Sequence, residues 1–260
     1  MPPEAESLPM QPVINIEQTA DRPRRRPVHG AHIGIIVLDT GFERLPGDVA
    51  NALTWRFPVQ YHVVTGVRPQ DVIEGAPEKA LPAFYDAIDR LTELGVDGIA
   101  TSCGFLAMVH PQLRAYSGVP IASSSLMQIP LVLQTLPADK TVGVIVSDRK
   151  SITDEHFINI GAPVGLPLGE LAFDGPIRAN MRNNASRVSY AAQERDALET
   201  VERMLAETPS IGALVSECAN LPPYSRAIEK TFGVPVYDVV SLVEWLHAGL
   251  RPRGFHPETS

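Results

Sequence analysis

Two cysteines are the only ones in the 260-residue chain: Cys103 in "GIATSCGFLAM" and Cys218 in "ALVSECANLPP". Each closes a short apolar run, and each precedes what reads as a helix start. Cys218 follows Cys103 by 115 residues, and the same interval separates Gly118 from Gly233 and Pro120 from Pro235. "SCGFLAMVHPQLRAYSGVP" therefore aligns without a gap on "ECANLPPYSRAIEKTFGVP". Two thiols on opposite sides of one carbon can exchange its proton, one taking it and the other returning it from the opposite face. Open α/β sheets bind ligands beyond the carboxyl ends of their strands, and both cysteines fall there. A following helix would favour the thiolate over the thiol. Taken alone, either cysteine reads equally well as a small buried hydrophobe; their equivalence in a repeat is what pairs them.

The elements that must hold the cysteines follow from the apolar rhythm. Residues 32–41, ending in Asp39-Thr40-Gly41, form a continuous apolar run suited to a strand buried on both faces. A second strand is expected at 57–66. Over 78–95, Leu81, Phe84, Ile88 and Leu91 keep helical spacing, and Gly95 suits a C-terminal cap. A strand at 96–103, a helix at 104–118 bent or restarted by Pro111, and a strand at 119–125 complete the first series. The second series has strands at 140–148, 211–218 and 234–241, with helices at 197–208 and 222–233. Gly143 and Asp148 both follow their counterparts Gly34 and Asp39 by 109 residues. Strands and helices alternating in this way predict an α/β fold with mainly parallel sheet, duplicated. The expected domains are a disordered tail over 1–28, a first α/β domain over 29–135, a second over 136–238, and a segment over 239–260. In that last segment Ser241 and Glu244 read as a capping box, on a helix packing back on the first domain.

Bulk properties exclude several classes. The net charge of -8 and pI near 5.4 argue against a nucleic-acid partner, which needs a basic patch. No apolar run is long enough for a membrane span, and two cysteines are not a disulfide framework. The first 28 residues are Pro-rich and lack the basic start and apolar core of a signal peptide, which leaves the cytoplasm as the default. The seven histidines show no metal-ligand spacing. Asp39 to Gly47 lacks the close glycines of a dinucleotide turn. A cysteine hydrolase would need a histidine by one thiol; His110 and His156 are available, but nothing in the sequence places either there. Trp55 and Trp245 read as packing residues.

Over residues 32 to 248 the chain resembles the aspartate/glutamate racemase superfamily, which includes hydantoin racemase, maleate isomerase and arylmalonate decarboxylase. "GIIVLDTG" is similar to the first strand and Asp-Ser-Gly turn of glutamate racemases, with Thr40 for serine. "ATSCGF" stands where those enzymes have Cys-Asn-Thr, and "SECANLPPY" where they have Gly-Cys-Thr-His or Gly-Cys-Thr-Glu. The resemblance implies two pseudo-symmetric Rossmann-like domains with the active site in the cleft between them, and Cys103 and Cys218 as the catalytic pair. It implies no metal and no organic cofactor. Asp39, Thr40, Ser102, Gly104, Phe105, Ala219 and Asn220 are the candidate substrate-binding residues, with Ser123 and Ser124 at a further strand end. Backbone N–H groups at 104–105 and 219–220 are candidates for holding a carboxylate.

The expected function is a cofactor-independent racemase or isomerase of a small carboxylate substrate. The alternatives are a maleate isomerase-like or decarboxylase-like lyase using one cysteine, or a non-catalytic two-lobed binding protein. A homodimer is left open. Gly104-Phe105 and Ala219-Asn220 lack the polar side chains of the amino-acid racemases. They predict a pocket with little to offer an ammonium group or a second carboxylate.

Overall fold

The apolar run that opens the first half forms β1 (Ile33–Leu38), buried at every position. Its neighbours are β2 (Val59–Val64), β3 (Gly98–Thr101) and β4 (Ile121–Ala122), giving a four-stranded sheet in the order β2-β1-β3-β4. The second half repeats this with β5 (Thr141–Val146), β6 (Leu168–Glu170), β7 (Ile211–Ser216) and β8 (Val236–Tyr237), in the order β6-β5-β7-β8. All pairings are parallel. The two sheets thus share one topology, as the α/β reading and the 115-residue interval require. This computed structural model describes residues 32–74, 77–184 and 187–252; the expected tail over 1–28 lies outside them.

Helices cover both faces of each sheet, as strands buried on two sides demand. Helix α1 (Pro69–Ile73) is short, and α2 (Leu81–Glu93) buries Phe84, Ile88 and Leu91, as its spacing predicts. The stretch after Cys103 is not one helix. It runs as a 3-10 helix over Gly104–Val109 and restarts as α3 (His110–Tyr116) with Pro111 in its first turn, where a missing N–H costs nothing. Next come α4 (Ile129–Thr135), α5 (Asp154–Ile158), α6 (Pro176–Asn183), α7 (Tyr190–Glu207), α8 (Pro222–Phe232) and α9 (Val239–Leu250). Asp238, not Ser241, caps α9. Its carboxylate accepts from the N–H groups of Val240 and Ser241, and the Ser241 hydroxyl accepts from the Asp238 N–H. Trp55 donates to the Val49 carbonyl, but Trp245 is exposed rather than packed. No helix among the described residues is long and apolar enough to cross a membrane.

The halves exchange helices. From α9, Val239, Leu242, Val243 and Leu246 pack on Ile33, Ile35, Val37 and Ala100 of the first sheet. In return, Leu126, Ile129 and Val132, which follow β4, pack on Val142, Val144, Ala213 and Val215 of the second. Each sheet therefore has one face closed by a helix that follows the other. This exchange locks the two lobes against each other and fixes the cleft between their strand ends.

Leu242→Ala removes a side chain buried in this exchanged contact and is expected to cost about 2–5 kcal/mol. Urea unfolding followed by fluorescence should show both lobes melting in one transition at a lower midpoint. Two separated transitions would show that the exchange does not couple the lobes.

Candidate active site

Each cysteine sits two residues beyond the end of its strand, β3 or β7, and the same bonds hold both turns. Thr101 Oγ1 donates to the Cys103 carbonyl at 3.3 Å, and Ser216 Oγ donates to the Cys218 carbonyl at 3.1 Å. The Ser102 N–H donates to the Ile36 carbonyl at 2.9 Å, and the Glu217 N–H to the Ile145 carbonyl at 2.8 Å. Side chains return the favour: Ser102 Oγ accepts from the Leu38 N–H at 3.1 Å, and Glu217 Oε2 accepts from the Ser147 N–H at 3.2 Å. The hydroxyl of Ser125 crosses between the lobes to the Ser216 carbonyl. Two like turns are thereby set against each other across the cleft.

Both thiols are free and line one small recess, with Thr40, Phe42, Arg44, Ser102, Gly104, Phe105, Ser147, Glu217, Ala219 and Asn220. Arg44 is held by Asp48 at 2.8 Å and by Thr40 Oγ1 at 2.9 Å. Asn220 donates to the other Asp48 oxygen at 2.6 Å, so the loop after β1 is tied to the Cys218 turn. A wider polar recess of about 850 Å³ opens outward between Asp39, Arg68, Arg182 and Asn184. Its only shared wall with the thiols is the stretch around Thr40 and Pro69, together with Met181.

Burial dominates the electrostatics. It pushes the Cys103 thiol up to about 12, helped by the Glu217 charge and opposed by the N–H groups of Phe105 and Leu106 and by Arg44. Cys218 is pushed up by burial and then by Glu217, against the Asn220 N–H. Burial thus opposes the ionisation that a following helix would favour. The run after Cys103 is a six-residue 3-10 helix and α8 begins only at Pro222, so neither dipole outweighs desolvation. Glu217 itself is raised to about 7, burial being the chief cause. The N–H groups of Phe105 and Leu106 turn to the Cys103 sulfur, and that of Asn220 to the Cys218 sulfur.

Of the residues singled out in the sequence, the structure brings Cys103, Cys218, Thr40, Ser102, Gly104, Phe105, Ala219 and Asn220 to one recess. Asp39 is a correction. Its exposed carboxylate lies in the outer recess and accepts from the Gly66 N–H at 2.8 Å, because β1 ends at Leu38 and the chain turns outward. Ser123 and Ser124 are buried away from the thiols: Ser123 Oγ meets His110 Nδ1 at 2.9 Å, and Ser124 caps the turn that follows. His156 packs on the edge of the Phe105 ring; neither histidine lines the thiol recess. Sequence reasoning missed Arg44 and Glu217. Their only signals were position, one in the loop after β1 and the other immediately before Cys218. Beside the four positions that lack the racemases' polar side chains, Glu217 places a buried carboxyl in the recess. Gly104 is required by it: a Cβ there would lie 2.2 Å from the Glu217 carbonyl oxygen and 2.6 Å from Oε1.

No protein-family model matches the sequence. Curated relatives include a dimethylsulfoniopropionate lyase of Durusdinium sp. clade D, 27% identical over 87% of this chain and 79% of that one. Dimethylsulfoniopropionate lyase 3 of Emiliania huxleyi (strain CCMP1516) is 27% identical over 84% of this chain, which spans only 59% of its length. Among solved structures, unliganded arylmalonate decarboxylase aligns over 89% of this chain and 97% of its own, at 16% identity and TM-score 0.56. Allantoin racemase from Klebsiella pneumoniae aligns over 85% and 87%, at 17% identity and TM-score 0.59. An aspartate racemase homologue from Pyrococcus horikoshii OT3 gives 85% and 99%, at 14% identity and TM-score 0.53. The chain shares the fold of these decarboxylase and racemase structures.

Gly104→Ala is expected to destabilise the protein by about 1–3 kcal/mol, because backbone and a buried carboxyl stand where the methyl must go. Denaturant midpoints of the two proteins measure it; equal midpoints would show that the turn yields freely. Glu217→Gln has a pH signature. The folded protein holds the Glu217 proton up to about 7, whereas the unfolded chain releases it near 4.5. Its contribution to stability is thus full below 4.5 and declines until about 7. The melting temperature of wild type relative to the glutamine variant should fall between pH 4.5 and 7 and then level off.

Proposed function

We propose that the chain is a lyase that eliminates a sulfide from a 3-sulfoniopropionate, opening the reaction by removing the proton next to the carboxylate. The observation that carries this reading is the pairing of two thiols in one recess on a chain whose curated relatives are named dimethylsulfoniopropionate lyases. Arg44 has donors beyond those given to Asp48 and Thr40, and a guanidinium suits a carboxylate. With the carboxylate on Arg44, the adjacent carbon lies between the sulfurs. One cysteine, as thiolate, takes its proton. The electron pair left on carbon becomes the new C=C bond as the C–S bond breaks, and the bonding pair leaves on sulfur. Dimethylsulfoniopropionate thus yields dimethyl sulfide and acrylate, with the proton left on the enzyme.

The near-symmetry of the two turns favours a second reading, racemisation. It shares the first step and differs only in the fate of the carbanion, which the opposite thiol protonates. A leaving group on the next carbon decides between them: with a sulfonio group present, expulsion competes with reprotonation.

Incubating the protein with dimethylsulfoniopropionate in deuterated water should release dimethyl sulfide and acrylate in equal amounts, read by gas chromatography and proton NMR. Cys103→Ser and Cys218→Ser should each lower turnover by about 100-fold or more, since a hydroxyl is a poor base at these pH values. Absence of sulfide release, with deuterium entering both enantiomers of allantoin, a hydantoin or aspartate, would replace the lyase by the isomerase. A serine variant with wild-type turnover would remove that cysteine from the chemistry.

A further inference from the structure

The two cysteine turns are held by the same hydrogen bonds, but the residue before each cysteine differs in charge. Ser102 and Glu217 occupy equivalent places, each before its cysteine and each accepting the last N–H of the central strand. A serine does this in the first lobe without charge. The second lobe carries a carboxyl at the same task, although burying a charge is costly unless it is paired. Glu217 is buried and lines the thiol recess. Ser147 supplies two donors to Oε2, from its N–H and its hydroxyl at 3.3 Å. No ion pair joins Glu217 to a Lys, Arg or His among the described residues. The neighbouring cations are committed elsewhere: Arg44 to Asp48, and Arg178 to Asp148 and Glu170. Gly104 faces this residue closely, with the Glu217 backbone carbonyl and Oε1 both standing where a Cβ would go.

We infer that Glu217 recognises a cationic substituent on the substrate, its carboxylate facing an onium group while the thiols address the neighbouring carbons. The bound cation supplies the counter-charge that the protein itself withholds. It also offsets the negative field that Glu217 imposes on both thiols, so a cationic ligand makes the thiolate easier to form in the complex. A neutral ligand would leave that field in place. The site would thus read a zwitterion by its two ends, the carboxylate by Arg44 and the cation by Glu217. The inference rests on the proposed lyase for its substrate class, but concerns binding and stands or falls by itself.

The test compares two isosteres that differ in charge, 3-(trimethylammonio)propionate and 4,4-dimethylpentanoate, by isothermal titration calorimetry. Wild type at pH 8 should prefer the cation by about tenfold or more. Glu217→Gln should bring the ratio to within about twofold. Wild type alone gives a second measure, needing no variant to fold. Lowering the pH from 8 to 5 protonates Glu217, whose proton is held to about 7, and the preference should shrink. The other charged or titratable groups about it are Asp148 beside Ser147, Asp48 and Arg44 of the facing loop, and the two thiols. The glutamine variant separates Glu217 from these, because it should lose the pH dependence of the ratio. No preference in wild type, or an equal preference in the variant, overturns the inference. A Glu217-dependent preference without dimethyl sulfide release would sink the lyase reading alone; sulfide release with an unaltered ratio in the variant would sink this one alone.

Discussion

The last N–H of each central strand must be satisfied after the sheet has run out, and the rest of the site depends on how that is done. In both lobes the residue before the cysteine bridges back to the central strand, by its backbone N–H and by its side chain. The residue two before the cysteine grips the cysteine carbonyl with a hydroxyl. These few bonds leave each thiol little choice of direction. An unpaired buried N–H would cost on the order of 1–3 kcal/mol, so the bridging side chain cannot be dropped without a substitute. Duplication repeats the device, and the second copy has been free to vary within it. The two copies differ there, with Ser102 in the first and Glu217 in the second.

Burial sets the chemistry of the site against its stability. Three acids, Cys103, Cys218 and Glu217, share a small desolvated space; burial holds each toward its neutral form, and the Glu217 charge adds to this at both thiols. The backbone N–H groups that reach the sulfurs reduce the cost of a thiolate without cancelling it. A buried carboxyl raised to about 7 lowers the stability of the folded chain at neutral pH relative to an uncharged side chain. Such a group is kept where a ligand changes its surroundings, and perturbed acids gather at functional sites for that reason.

The exchanged helices give this arrangement its rigidity. Because α9 closes the first sheet and α4 the second, the facing turns are held by contiguous apolar cores rather than by a hinge. The loop carrying Arg44 adds a polar tie across the mouth through Asp48 and Asn220. Gly41 and Glu43 reach the second lobe as well, the Gly41 N–H donating to Asn184 Oδ1 and the Glu43 carboxylate accepting from the Val188 N–H. The proposed chemistry demands this precision, since proton transfer works only within hydrogen-bond reach.

The sequence by itself determined the parallel sheets, the duplication and the place of both cysteines at strand ends. Those features are written locally: apolar runs of strand length, helical spacing over 81–91, and an interval of 115 residues that recurs at three positions. It also placed Pro111 at a helix restart, but could not see that Asp238 would cap α9 in place of Ser241, because a cap is chosen by where the chain turns. Only the tertiary structure decided which polar groups meet. Glu217 and Ser147 are 70 residues apart, and Asn220 and Asp48 are 172 apart; no local pattern joins them. Gly104 reads as a lost polar side chain until the Glu217 backbone and carboxyl are seen to fill the space a Cβ would need. Asp39 reads as a ligand until the strand ends one residue too early to aim it inward. The protonation of the thiols was the least legible of all, because desolvation belongs to the packed surroundings of a group and to nothing in its neighbours along the chain.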